Sequence, residues 1–153
     1  MLLWKYARGL GVTCLVFASA ACSERLVVSA DEQMLVVVDD LRELDGHPAA
    51  TVHYFLATPQ PLSEADGARV TSMTYVATFR CAEGTWGLRE HTLVTEAGST
   101  ITSREPRPSL ERPTADSLAE GVVQAVCDPA ARSETATRRP LQFIRKHYFE
   151  LQD

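Results

Sequence analysis

The sequence lacks the residues and spacings on which common catalytic and metal sites depend. It has no asparagine, only two lysines, and four histidines that are far apart. No Cys-x-x-Cys, His-x-x-x-His or His-Glu-x-x-His spacing occurs, and there is neither a glycine-rich phosphate loop nor a Gly-x-Ser-x-Gly turn. We therefore expect no catalytic residue, no metal site and no cofactor, and predict that the protein is not an enzyme.

Two arrangements could still bring metal-type ligands together. His53 and His91 lie in separate predicted strands and could meet across a sheet. Four carboxylates also cluster near a predicted turn, namely Asp39, Asp40, Glu43 and Asp45. We interpret the carboxylates as a solvated loop, because clustered surface charge is usually solvated.

The negative charge is concentrated in the middle of the chain. The formal net charge is −5, with +2 on residues 1–22 and +2 on residues 129–153, so residues 23–128 carry −9. A region this acidic repels the phosphate backbone of nucleic acids. We therefore expect no nucleic-acid partner.

Residues 1–21 form a predicted signal peptide. Lys5 and Arg8 precede an apolar run that ends in small residues. The run is too short to span a hydrocarbon core of about 30 Å as a stable anchor, although an uncleaved membrane helix is the remaining alternative. The sequence therefore predicts export.

Two cleavage sites compete at the end of this signal. Ala18-Ser19-Ala20 has the small-x-small form of an ordinary signal-peptidase site, whereas residues 19–22 resemble a bacterial lipobox with serine in place of the usual leucine. Ordinary cleavage would export three cysteines and leave one unpaired in an oxidising compartment. Lipidation of Cys22 would instead leave one pair, Cys81 and Cys127, so we favour a lipoprotein that begins at Cys22.

The stretch from Val70 to Cys81 predicts a long strand, since it is rich in β-branched and aromatic residues and contains no glycine or proline. Side chains alternate along a strand, so one apolar face is predicted. That face would hold Met73, Tyr75, Ala77, Phe79 and Cys81.

The other elements follow from the same patterns. Six strands are predicted, at residues 26–29, 34–38, 49–57, 70–81, 86–95 and 99–103. The unbroken apolar run at 34–38 indicates burial on both faces or a bend, and residues 41–47 are predicted to be a loop.

The only strong helix signal covers residues 114–127. Ser117 and Glu120 have capping-box spacing, with Thr114 or Asp116 as alternative caps. An apolar stripe faces the core, formed by Leu118, Val122, Val123, Val126 and Cys127. Strands followed by a helix predict an α+β fold, in which a Cys81–Cys127 disulfide would hold the helix on one face of an antiparallel sheet.

Several local motifs occur in an order that is typical of one family. Phe79-Arg80-Cys81 is followed by Trp86-Gly87-Leu88-Arg89, and a proline-rich stretch at 104–113 leads to Ala125-Val126-Cys127. With the lipoprotein-like signal, this order resembles the surface-adhesin protein E family of Gram-negative envelope proteins. The resemblance covers about residues 25–128.

The resemblance implies an antiparallel sheet of about six strands, with a C-terminal helix tethered to its concave side by the Cys81–Cys127 disulfide. It assigns residues 22–128 to a surface-adhesin E-like domain. The best-known member binds host matrix proteins and plasminogen. Plasminogen-type binding often uses exposed lysines, and only Lys146 follows the signal here, so we do not expect that activity.

Residues 129–153 lie beyond the resemblance. The first half is polar and predicts a flexible linker, and the second half has apolar residues near helical spacing. We interpret the second half as a short amphipathic helix packed on its own domain, with docking to a partner or a membrane surface as the alternative.

Two functions are consistent with these patterns. The first is an outer-membrane lipoprotein that binds proteins through an exposed face or edge of its sheet, the partner being extracellular matrix or a second copy of the chain. We expect the helix to take up the apolar face of the 70–81 strand, so that binding would use the opposite face, the loops or the C-terminal segment. The alternative is a structural or accessory lipoprotein that faces the periplasm and has no host ligand.

Overall fold

The computed structural model describes residues 24–62 and 67–151. The predicted signal peptide at 1–21 and the predicted lipidation site Cys22 lie outside the described residues. These described residues form seven strands and three helices. In order, these are β1 (Arg25–Ala30), β2 (Met34–Leu44), β3 (His47–Pro61), β4 (Arg69–Arg80), β5 (Thr85–Thr95), β6 (Thr100–Arg104), α1 (Leu118–Cys127), α2 (Pro129–Thr135), β7 (Ala136–Thr137) and α3 (Leu141–Glu150).

The strands form one antiparallel sheet in the order β6-β5-β4-β3-β2-β1-β7. The first six strands pair in sequence order, each with the next along the chain. The predicted α+β class is confirmed, and the two-residue β7 is the strand that the sequence did not reveal.

The predicted loop at 41–47 is wrong, because β2 and β3 are joined by a two-residue turn. Leu44 pairs with His47, and Asp45 and Gly46 between them have φ angles of 53° and 76°. Asp-Gly with both φ angles positive is the usual type I′ hairpin turn, whose twist matches that of the flanking strands. Both strands therefore extend much further than the hydrophobic pattern indicated.

Strand β2 is buried on both faces, as its apolar run predicted. Val36 and Val38 belong to a core cluster that includes residues of α1, whereas Leu35 and Val37 belong to a second cluster with Tyr148 of α3. Alternate residues of a strand point to opposite sides, so the sheet has an α1 face and an α3 face.

Helix α1 lies on the sheet and is joined to it by the Cys81–Cys127 disulfide, which confirms the predicted pair. The helix begins at Leu118 because Ser117 caps it, with its Oγ accepting a hydrogen bond from the Glu120 N–H at 3.2 Å. The Glu120 carboxylate accepts from the Asp116 N–H at 2.7 Å rather than from the cap residue, so only half of the capping box forms. Leu118 is 37 % exposed, and its predicted place in the core stripe is wrong.

Residues 129–135 differ from the predicted linker, since they form α2. Asp128 caps this helix by accepting a hydrogen bond from the Ala130 N–H at 2.9 Å. The chain then pairs with β1 through β7, where Arg25 lies opposite Thr137. This arrangement brings the start of the described chain next to its C-terminal segment.

Helix α3 packs on the face of the sheet opposite α1. Tyr148 is buried, and its hydroxyl donates to the Asp31 carbonyl at 2.8 Å. Burial raises the pKa of the Tyr148 hydroxyl, which stays protonated as this hydrogen bond requires. Leu141 and Ile144 pack against the same cluster.

Candidate functional site

Strand β6 forms one edge of the sheet, and all five of its residues are exposed. In the part of the chain that the structure describes, β6 pairs with β5 and no strand lies beyond it. The sequence Thr-Ile-Thr-Ser-Arg contains no proline or lysine, which natural edge strands often use against unwanted pairing.

The main-chain groups of β6 alternate between the ladder and solvent. The Thr95 N–H donates to the Ser99 carbonyl at 3.0 Å, and the Glu105 N–H donates to the Arg89 carbonyl at 2.7 Å. Hydrogen-bonded and non-hydrogen-bonded pairs alternate in an antiparallel ladder. Counted from these two hydrogen-bonded pairs, every second residue of β6 is in a non-hydrogen-bonded pair, and its main-chain groups point away from β5. Thr100, Thr102 and Arg104 direct their N–H and carbonyl groups outward, and we call this row the free edge.

An apolar strip leads from the α1 face to the free edge. Met73 lies opposite Leu93, and Leu93 lies opposite Ile101. Met73 and Leu93 are half-buried, and Ile101 is 44 % exposed. The strip therefore becomes more exposed toward β6.

This strip corrects the expectation that the helix takes up the whole apolar face of β4. Ala77 and Phe79, next to the disulfide, are fully buried, whereas Met73 and Tyr75 are only half-buried. The disulfide holds the end of α1 near Cys81. The helix therefore covers less of β4 as the distance from Cys81 increases. The bond itself lies at the rim of this contact, because Cys81 is exposed.

The proline-rich stretch at 104–113 continues from β6 and lies against the first residues of β5. Trp86 and Glu111 form an isolated bridge, in which the Trp86 N–H donates to the Glu111 carbonyl at 3.0 Å. Gly87 lets the stretch approach closely, since a Cβ at this position would lie 3.0 Å from atoms of Pro108 and Leu110. The edge of β5 at Trp86 and Gly87 is therefore covered by the proline-rich stretch.

A small cleft of about 170 Å³ lies between this stretch and the β2–β3 turn. Its Arg89 side chain is held by the Asp45 carboxylate at 2.7 Å and by the Pro106 carbonyl at 2.9 Å. Small-molecule sites usually measure roughly 300–1,000 Å³. We therefore interpret the cleft as a contact that holds the proline-rich stretch in place.

The structure does not bring His53 and His91 together. His53 lies opposite Thr74, with 3.2 Å between its Nδ1 and the Thr74 hydroxyl, whereas His91 lies opposite Tyr75. Thr74 and Tyr75 are consecutive in β4, so the two histidines are on opposite faces. Burial lowers the pKa of His53.

Three of the four clustered carboxylates form ion pairs with arginines. Asp39 pairs with Arg25 at 3.2 Å, Asp40 pairs with Arg42, and Asp45 pairs with Arg89. Within residues 24–62 and 67–151, no three histidine, cysteine or acidic side chains are placed to hold a metal ion.

Comparisons with known proteins leave the family resemblance as a prediction. No family model, no curated protein and no solved structure matches this chain. Among the described residues, no helix is both long and apolar enough to cross a bilayer. The role of the free edge and its apolar strip is therefore inferred from their geometry alone.

Proposed function

We propose that this chain is an exported envelope lipoprotein that binds proteins without catalysing a reaction, through the free edge and the apolar strip beside it. The observation that carries this proposal is that all five residues of β6 are exposed. Outward N–H and carbonyl groups can accept an added strand, and a neighbouring apolar row can accept its side chains. The partner class is an extended protein segment, from the extracellular matrix or from a second copy of the chain.

The position of the free edge also supports this proposal. Strands β1 and β6 are separated by five inter-strand spacings, which amounts to about 24 Å at roughly 4.8 Å each. Cys22 lies three residues before Arg25 at the start of β1. A lipid on Cys22 would hold one edge of the sheet at the outer membrane and leave the opposite edge available.

We expect the mature chain to begin with a lipidated Cys22. Mass spectrometry of the N-terminal peptide from the native host should show a diacylated or triacylated cysteine, and Cys22→Ser should abolish that modification. Cys14→Ser is the matched control, because Cys14 lies inside the predicted signal and is not expected to change the product. A mature chain with an unmodified N-terminus at Ala21 would contradict the lipoprotein.

A proline in the free edge is expected to weaken partner binding by about tenfold or more, because it removes an outward N–H and places a ring against the incoming strand. Thr102→Pro is suitable, since its N–H lies outside the β5 ladder and proline is tolerated at sheet edges. Thr102→Val is the matched control, because it keeps the N–H and loses only the hydroxyl contact to Thr92 at 3.0 Å.

Two measurements compare partner binding by the wild type and these two variants. Sedimentation of the protein alone tests pairing with a second copy, and pull-down with immobilised matrix proteins tests a host ligand. Equal binding by the wild type, Thr102→Pro and Thr102→Val would exclude the free edge. The periplasm-facing alternative is distinguished by protease treatment of intact cells, which cleaves only a displayed domain.

A further inference from the structure

The C-terminal helix has a second apolar row on the side away from the sheet. Phe143 and His147 lie four residues apart on one side of α3, and Leu151 continues this side at the C-cap of the helix. Phe143 is 49 % exposed and Leu151 is 71 % exposed. Since α3 already packs its other side on the domain, this row is not needed to hold the helix.

Basic side chains flank this row. The guanidinium of Arg139 lies 4.9 Å from the centre of the Phe143 ring, and the His147 ring stacks on Phe143 at 6.3 Å. The Lys146 side chain is 75 % exposed and has Glu150 within 3.5 Å. We call these five residues, Arg139, Phe143, Lys146, His147 and Leu151, the outer stripe.

The charge of this segment is opposite to that of the rest of the exported chain. Residues 129–153 carry +2, whereas residues 23–128 carry −9. Basic residues beside exposed Phe and Leu are typical of helices that lie in the interface of an anionic bilayer.

The start of β1 lies beside the start of this stripe. The Arg25 guanidinium donates to the Arg139 carbonyl at 3.3 Å, and Arg25 pairs with Thr137 across β1 and β7. A chain of three residues spans at most about 11 Å, so a lipid on Cys22 would enter the bilayer close to Arg139.

We propose that the outer stripe lies on the surface of an anionic bilayer, as a second contact beside the lipid on Cys22. This inference rests on the proposed lipoprotein for its anchor. The helix is about 15 Å long, so the lipid and the stripe together restrict how the domain can turn. Two or three acyl chains on Cys22 would already anchor the chain stably, so the stripe would set the orientation of the domain on the bilayer.

The experiment reconstitutes the full-length lipidated protein, with Phe143→Trp, into vesicles that carry brominated acyl chains. We expect tryptophan quenching at least about twofold greater in phosphatidylglycerol vesicles than in phosphatidylcholine vesicles, and loss of the difference in 1 M salt, where the Debye length is about 3 Å. The protein without this substitution reports the contribution of Trp86, which lies at the opposite side of the sheet.

Charge reversal gives the matched comparison. Arg139→Glu combined with Lys146→Glu should remove the difference between the two lipids. Arg107→Glu combined with Arg112→Glu reverses the same number of charges, at two exposed arginines of the proline-rich stretch, and should leave the difference unchanged. Circular dichroism checks that each variant is folded. Equal quenching in both vesicles by a folded, lipidated protein would overturn the inference and leave the lipoprotein intact.

If the mature protein carries no lipid, flotation with vesicles tests the outer stripe by itself. Flotation of that protein with phosphatidylglycerol vesicles alone would keep the outer stripe and overturn the lipoprotein. Failure to float with either lipid would overturn both.

Discussion

Removal of the disulfide is expected to lower the free energy of unfolding by about 4 kcal/mol. Cys81 and Cys127 close a loop with a sequence separation of 46. In the chain-entropy model a loop of this length restricts the unfolded chain by about that amount at 25 °C. Since a domain of this size has a net stability of roughly 5–15 kcal/mol, the bond carries a large share of it.

Chemical denaturation of the mature protein measures this effect. The double variant Cys81→Ala, Cys127→Ala should unfold at clearly lower denaturant than the oxidised wild type, and the reduced wild type should behave like the double variant. Hydrogen exchange should increase most in α1, because the bond joins that helix to the end of β4. Midpoints that agree between oxidised and reduced protein would show that packing alone holds the helix.

Truncation of Phe79 is expected to cost about 3–5 kcal/mol, the usual range for a buried phenylalanine. Phe79 is 0 % exposed and belongs to the cluster that contains Val122 and Val126 of α1. Trp86 lies beside it, with 6.3 Å between the ring centroids. The variant Phe79→Ala therefore leaves a cavity where the helix meets the sheet.

Denaturant titration compares this variant with two others. Phe79→Leu should lose much less stability, since it keeps most of the buried volume. Phe143→Ala removes the same atoms from a side chain that is 49 % exposed and should change stability by less than about 0.5 kcal/mol. Similar losses for Phe79→Ala and Phe143→Ala would contradict the position of the core.

The two effects should not be additive. Phe79 and Cys81 lie two residues apart on the same side of the chain, and both hold α1. Once the disulfide is absent, the helix can adjust to the cavity. The triple variant should therefore lose less stability than the two losses added together.

Much of the α1 face could be predicted from local sequence. The period of two between Met73 and Phe79 is a property of an extended chain, and β4 occupies Arg69–Arg80, close to the predicted 70–81. The pattern predicted a helix over 114–127 with Ser117, Thr114 or Asp116 as its cap, and the structure shows Ser117 in that role. The even number of cysteines after Cys22 indicated the disulfide.

Other elements could not be predicted because they depend on distant residues. β7 is two residues long and forms because β1 offers an unpaired edge beside it. The turn at Asp45 and Gly46 carried a recognisable signal, but the hydrophobic pattern fades before it. The end of β2 contains three exposed charged residues, and β3 begins with a histidine and an exposed proline.

The sequence by itself determined the alternation of β4, the capped helix, the cysteine pair and the charge difference between residues 23–128 and 129–153, because each depends on neighbours in the chain or on composition. The tertiary structure decided which features became surfaces. Strand order placed β6 and β1 at opposite sides of the sheet, and the attachment of α1 near Cys81 left Met73 half-buried and Ile101 exposed. Exposure depends on what packs against a residue, and that partner is set by contacts far away in sequence.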